Sequence, residues 1–418
     1  MARILMLMGS GETSPTMVKS HREIFSVLPN PAKAVILDTP FGFQGNADDI
    51  AQKAIDYFKT SIGVKVDLAS MREASRASSL QLESFANQLR DADYVFAGPG
   101  SPTYALRQWS DLPLASILSK KLTTGGVVAF SSAAVLTLGH HSIPVYEIYK
   151  VGEPVQLRKG LDVLSAIGLK ALVIPHFNNA EGQNHDTRFC YMGQERLDFL
   201  MSQLDQGCAV IGIDEHTGII IDLEQGSVRF VGLGTVTLLQ GSGRAVYQAG
   251  ERLTFEEFRS ALATVGEMHV AAKPEQARSE VSGEKKAESP LLASIESHQA
   301  RFDAALKSLD SHTALETILD LEEELAAWSA DTLQSDEMEK GRAALRSMVS
   351  RLEPIVREGL VSAEERIGPL METLMELRAG ARAERRWGDA DAIRDKLDKL
   401  GIVIQDTPDG AIWHLAKP

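Results

Sequence analysis

Cysteine is almost missing from this chain, with Cys190 and Cys208 the only two among 418 residues. Two thiols cannot staple a chain this long, so an apolar core must hold the fold, and a reducing, cytoplasmic setting is expected. Long apolar runs are missing as well. The opening run ends at Gly9-Ser-Gly-Glu12, too short for a signal peptide. No later run approaches the ~18 residues of a membrane span, so no membrane association is expected. There is no excess of positive charge: 57 acidic against 43 basic side chains leave a net charge of −14. That argues against a broad grip on phosphate backbones and leaves room only for a local basic face. No Walker-type Gly-Lys-Ser occurs, and Gly9-Ser-Gly-Glu-Thr-Ser lacks the third glycine of a dinucleotide fingerprint. His140-His141 has no acid or histidine at ligand spacing beside it, so a polar loop is expected there, with no metal and no cofactor.

Glycine is unevenly spread, 25 of the 33 lying at or before Gly266. The stretch Val270–Pro290 holds 8 charged residues in 21 and no aromatic residue, the composition of a disordered linker. The expected organisation is therefore an α/β domain over 1–268, a linker over 269–290 and a helical domain over 291–418. In the first, short apolar runs alternate with amphipathic segments, as a parallel sheet with crossover helices requires. The runs are 4–8, 34–38, 64–68, 94–97, 127–130, 172–174, 209–213, 218–222 and 228–239. Several end in polar or glycine-rich turns, where ligands bind in open α/β sheets. In the last domain, leucines at helical spacing predict a bundle. Asp389 is placed to cap a helix that Gly401 ends, and 402–404 with 411–413 read as a small hairpin.

Gly125-Gly-Val-Val-Ala-Phe-Ser131-Ser132-Ala-Ala-Val-Leu136 is a buried strand running into two serines and small, helix-compatible residues. A nucleophile elbow needs that shape, because a sharp strand-to-helix turn lifts the hydroxyl out of the sheet. The alternative is a plain strand-to-helix turn. Serine needs a base, and Leu172-Val-Ile-Pro-His176 puts a histidine at another strand end, where a solvated loop residue is the competing reading. Ile211-Gly-Ile-Asp214-Glu215 supplies two carboxylates at a third strand end, either to orient the imidazole or to cap the following turn.

Ala129-Phe-Ser-Ser132-Ala-Ala-Val resembles the Gly-x-Ser-Ala-Gly-Ala elbow of the cyanophycinase and dipeptidase E serine peptidases, whose fold is that of class I glutamine amidotransferases. Pro175-His176-Phe with Arg188, Gly212-Ile-Asp-Glu215-His-Thr, and Gly98-Pro-Gly100-Ser resemble other segments of that family. The likeness covers about residues 1–245. It implies a flavodoxin-like α/β fold and a serine-type hydrolase of a small peptide or amide. Ser132 would be nucleophile, His176 base and Glu215 orienting acid, with the N–H groups of Gly100 and Ala133 as oxyanion donors. Phe130 and Ala134 stand where the family has glycines. A turn shifted by one residue makes Ser131 the rival nucleophile, and Pro99 has no N–H to offer an oxyanion. Arg188 would read an acidic substrate side chain, or simply form an outward salt bridge. The superfamily's glutaminases use an elbow cysteine. Here both cysteines lie elsewhere and read as buried core residues.

Met375–Trp413, with its Arg-rich helix, Trp387-Gly-Asp-Ala-Asp entry and Asp-Thr-Pro-Asp-Gly410 turn, resembles the extreme C-terminal segment of cysteinyl-tRNA synthetase. That likeness implies contact with tRNA through Arg378, Arg382 and Arg386, and with Trp387 and Trp413 available for stacking. The competing reading of the tail is a helical packing or homo-oligomerisation module. The synthetase's own catalytic signatures are absent from the sequence, so aminoacylation is excluded. As a whole, the chain reads as a serine-type hydrolase or, alternatively, as a non-catalytic or weakly catalytic scaffold whose tail binds tRNA or a translation-related partner.

Overall fold

The computed structural model describes residues 2–182, 185–265, 290–308, 310–328, 337–352, 363–407 and 410–416. The linker expected over 269–290 lies outside the described residues except for Pro290, which opens a helix. By its contacts the chain divides into two units, residues 1–298 with 319–341, and residues 299–318 with 342–418. The cut differs from a simple break at the linker, since 319–341 groups with the first unit.

The strands of the first unit are β1 Arg3–Met8, β2 Ala34–Leu37, β3 Asp67–Ala69, β4 Tyr94–Ala97, β5 Gly126–Ser131, β6 His141–Ser142, β7 Arg158–Lys159, β8 Ala171–Ile174, β9 Ala209–Ile213, β10 Thr217–Asp222, β11 Ser227–Gly232, β12 Thr235–Gln240, β13 Gly243–Gln248 and β14 Arg252–Thr254. Eight form one sheet in the order β14-β11-β10-β1-β5-β4-β2-β3. Its β1-β5-β4-β2-β3 part is parallel, and β10, β11 and β14 extend it antiparallel. A second sheet, β13-β12-β9-β8, has one parallel pair, β8 with β9. The expected α/β class with a parallel sheet is present. The antiparallel edge and the second sheet are additions that the apolar runs alone do not announce. In particular, 228–239 is not one strand: β11 belongs to the large sheet and β12 to the small one. The change of sheet occurs at Gly232 (φ 99°), where a Cβ would lie 2.1 Å from the carbonyl oxygen of His216, so only glycine fits.

The parallel strands are apolar at successive positions because both faces are covered. On β1, Leu5 and Leu7 join a core with Val128, Phe130, Val173 and Ile211. Ile4, Met6 and Met8 face the opposite side, packing with Val127 and Ala129 of β5 and with Met17 and Ile24 of the helix Pro15–Ser26. The first of these cores includes residues of both sheets.

Helices Pro290–Lys307, Ser311–Trp328 and Glu337–Arg351 precede the C-terminal segment. That segment consists of the helices Ala363–Ala383 and Trp387–Asp398 and a hairpin of β15 Ile402–Thr407 with β16 Gly410–Leu415, as expected. Met371, Leu397 and Ile402 form its core, with Ile393, Ile404 and Trp413 packed against it. Asp389 does not cap the second helix. Arg386 holds that position, and Asp389 lies in the first turn, where its charge still complements the helix dipole.

Candidate active site

β5 alternates Val128 and Phe130 toward one core with Val127, Ala129 and Ser131 toward the other, and this alternation separates the two serines. Phe130 is fully buried beside Trp109, with ring centroids 6.2 Å apart, so its bulk is absorbed on the far side of the strand from Ser131. Ser131 is also fully buried, and its hydroxyl donates to Glu12 Oε2 at 2.8 Å. Ser132 takes a left-handed backbone (φ 48°), the sharp turn an elbow requires. Its Oγ lies 2.9 Å from His176 Nε2.

His176, just beyond β8, is likewise left-handed (φ 48°). Such conformations cost about 1–3 kcal/mol each for residues with a side chain and persist only where surrounding structure imposes them. Here the imposing structure is the segment Phe189–Tyr191, itself left-handed at three successive residues. Phe189 N donates to the carbonyl of Phe177, and Cys190 N to that of His176. The imidazole Nδ1 lies 3.0 Å from Glu215 Oε1, which fixes the tautomer: Nδ1–H donates to Glu215, and Nε2 accepts from Ser132.

The two adjacent carboxylates at the end of β9 have separate partners. Asp214 Oδ2 accepts from both the N–H and the hydroxyl of Thr235 at 2.8 Å. Glu215 turns to the imidazole, and its Oε1 also accepts from Asn179 Nδ2 at 3.1 Å. Its backbone N–H is held by Asn178 Oδ1 at 2.8 Å. Burial disfavours charge on His176, whose side chain is 12% exposed. The hydrogen bond to Glu215 and the charges of Glu215, Glu12 and Glu181 outweigh that and raise its pKa above the ordinary histidine value. Burial likewise opposes ionisation of Glu215, but its bonds to His176 and Asn179 and the imidazole's charge hold its pKa below the usual range. The pair is thus poised as a base with its counter-charge.

The loop after β4 meets the elbow through the N–H of Ala134, which donates to the carbonyl of Gly98 at 3.1 Å. Gly100 in this loop has φ 133°, and a Cβ there would sit 2.1 Å from the carbonyl oxygen of Pro40. Gly100 and Ala133 thus lie on the two segments joined at the elbow. Both cysteines are buried. Burial, reinforced by the charges of Glu215 and Glu181, pushes the Cys190 thiol up strongly, and burial pushes Cys208 up to about 11. A thiolate nucleophile needs the opposite shift.

Residues 366–413 match the cysteinyl-tRNA ligase anticodon binding domain. A cysteine–tRNA ligase of Paenarthrobacter aurescens is 33% identical over 129 residues, 29% of this chain and 27% of that protein. One from Cutibacterium acnes is 50% identical over 66 residues, 16% and 11% of the two chains. The chain therefore spans about a quarter or less of the length of these curated relatives. Among solved structures, a peptidase from an acI-B1 Actinobacterium superposes with a TM-score of 0.49 at 21% identity, covering 61% of this chain and 98% of that one. A putative peptidase E protein from Listeria monocytogenes EGD-e gives 0.38 at 15%, covering 56% and 100%.

Within the ligase-like segment, Arg378 is buried, its side chain 4% exposed, and donates through both terminal nitrogens to Asp406 of β15. It clamps helix to hairpin and is not presented on an open basic face. Arg382 reaches the same carboxylate at 2.7 Å but is partly exposed. Arg386 pairs with Glu384 and Asp389. Trp387 is exposed, whereas Trp413 packs against the apolar cluster. In the first unit, Arg188 forms two bonds to Asp186, the outward salt bridge, and stands over the Phe189 ring.

Sequence reasoning missed Glu12, Asn178 and Asn179. The two asparagines stand two and three residues after His176 in the sequence. Glu12 follows β1, whose Met8 pairs with Ser131, so sheet adjacency was the signal that could have found it.

Among the described residues, no helix is long and apolar enough to cross a membrane.

Proposed function

We propose that the protein is a serine-type amide hydrolase acting on a small peptide or aminoacyl-like substrate, with the fold of class I glutamine amidotransferases. The observation that carries this reading is a hydroxyl on a left-handed elbow, 2.9 Å from an imidazole whose other nitrogen meets a largely buried carboxylate. Ser132 Oγ attacks the substrate carbonyl as its proton passes to His176 Nε2. The N–H groups of Gly100 and Ala133 receive the oxyanion, and the imidazolium, neutralised by Glu215, returns the proton to the leaving amine. Water then takes the place of the amine, and the same groups release the acid. The carboxylates of Glu12, Glu181 and Glu215 all bear on His176. The pairing of Arg188 with Asp186 occupies the clearest reader of an acidic side chain.

The test is covalent labelling by a fluorophosphonate. Ser132→Ala abolishes it, whereas Ser131→Ala retains it. Full labelling of the Ser132→Ala protein would refute the assignment.

The match of residues 366–413 supports a second reading, in which the tail binds tRNA and the first unit serves as a scaffold. In the full chain, Arg382→Ala with Arg386→Ala then weakens tRNA binding at about 50 mM salt and reduces the slope of its salt dependence by about 2. If the tail binds tRNA and the first unit is the hydrolase, the same double variant lowers hydrolysis of an aminoacyl-RNA and spares a small ester.

A further inference from the structure

We infer that His140, His141 and Asp205 form a binding site for a divalent transition metal of the zinc class, separate from the triad. The two imidazoles both direct Nε2 at one carboxylate oxygen, Asp205 Oδ2, at 3.1 Å each. The three candidate ligand atoms lie within 4.8 Å of one another. Zinc bonds of about 2.0–2.1 Å in tetrahedral geometry separate ligand atoms by roughly 3.3 Å, so the two N···O distances already match the edge of such a site.

The second nitrogen of His140 supplies the independent argument. Its Nδ1 lies 3.3 Å from Asp162 Oδ1. Both imidazoles compete for the same Asp205 oxygen, and a single ion between them satisfies all three groups. With a metal on the two Nε2 atoms and Asp205, His140 Nδ1–H is left to donate to Asp162. A carboxylate behind a ligating histidine is the usual outer-shell partner, setting both tautomer and ring orientation.

The backbones that carry these groups are already fixed. His140 N donates to the carbonyl of Ala171, and its own carbonyl accepts from Gly160 N. His141 pairs with Lys159 between β6 and β7. The carbonyl of Asp205 accepts from Cys208 N in the turn before β9. All three side chains are partly exposed, so an ion can enter and a fourth position stays open to water. Ni²⁺ and Co²⁺ suit the same donors. The bound ion would tie the segment that follows the elbow to the turn that leads into β9, the strand ending at Asp214 and Glu215.

The test is titration of the chelator-stripped full-length protein with Zn²⁺ in competition with a chromophoric chelator, and with Co²⁺ followed by its visible d–d absorption. One saturable equivalent with a four-coordinate Co²⁺ spectrum is expected. His140→Ala with His141→Ala removes that equivalent and spectrum while circular dichroism stays unchanged. Asp162→Asn keeps the stoichiometry and weakens affinity about 10–100-fold. No saturable equivalent in the parent, or binding undiminished in the double variant, overturns the site.

Discussion

Glu215→Gln isolates one electrostatic contribution at the proposed centre. The variant keeps the side-chain shape, and the backbone of residue 215 stays tied to Asn178 Oδ1, so the fold should survive. Asn179 Nδ2 donates to Oε1 of the same carboxylate and therefore favours the amide oxygen of the glutamine at that place. The oxygen then still accepts from His176 Nδ1–H, which preserves the tautomer and removes only the negative charge. Loss of tautomer and charge together costs about 10⁴-fold in a serine triad. With the tautomer preserved, a loss of about a thousandfold is expected, or ~4 kcal/mol on the barrier.

The charge also sets the pH profile. His176 must be neutral to accept the proton, so reactivity falls on acidification through its pKa, which in the parent lies above the ordinary 6.5. Removing Glu215's charge deletes one of the influences that raise the His176 pKa, so the acid limb moves to lower pH. The assay is the second-order rate of fluorophosphonate labelling from pH 5 to 9, with Asp214→Asn as comparison. Asp214 is bonded to Thr235, so its variant should label at the parental rate. A Glu215→Gln rate within about tenfold of the parent, with an unmoved acid limb, would refute the proposed role.

Three further outcomes are expected. Gly100→Ala forces a Cβ toward the Pro40 carbonyl and displaces the loop. Labelling should fall at least about a hundredfold, the usual cost of one oxyanion donor, with little change in far-ultraviolet circular dichroism. Glu12→Gln keeps an acceptor for Ser131 but removes a charge that raises the His176 pKa. The acid limb of labelling should therefore shift downward, by less than in Glu215→Gln. In the tail, Arg378→Ala deletes both bonds to Asp406, a carboxylate 45% exposed, so chemical denaturation should show a loss of only about 1 kcal/mol. Asp406 has its pKa held below the usual carboxylate range by Arg378 and Arg382. The contribution of that pairing is present above an unfolded pKa of 3.8 and fades as the pH falls, so parent and variant should converge in acid.

Much of the candidate site was legible because strand ends are legible: the apolar runs of β5, β8 and β9 give way to Ser131-Ser132, Pro175-His176 and Asp214-Glu215. The choice between Ser131 and Ser132 was not. Ser131 is the last residue of β5 and is held by Glu12 next to the paired strand β1, whereas Ser132 opens the turn that follows. The same holds for Asp205, 64 positions from His141, which no spacing rule would connect to the histidine pair. Sheet membership was also hidden. The residues 228–239 read as one run of β-branched and apolar residues, and only the close approach of the His216 carbonyl makes Gly232 the point where the chain changes sheets. The tail was readable as helices and hairpin. Yet a helical wheel gives Arg378 the same standing as its neighbours, and only the fold reveals Asp406 beneath it.

The three groups at the centre do not grow from a single sheet. Ser132 leaves β5 of the eight-stranded layer, while His176 and Glu215 leave β8 and β9 of the four-stranded one. The hydroxyl–imidazole contact therefore joins residues of two sheets that share one apolar core. A slip of about one ångström between them would carry that contact beyond hydrogen-bonding reach while every ladder within each layer stayed intact. Reactivity at the proposed centre would thus report the registry of the two sheets. Pressure or mild denaturant should silence it while the secondary structure is still whole.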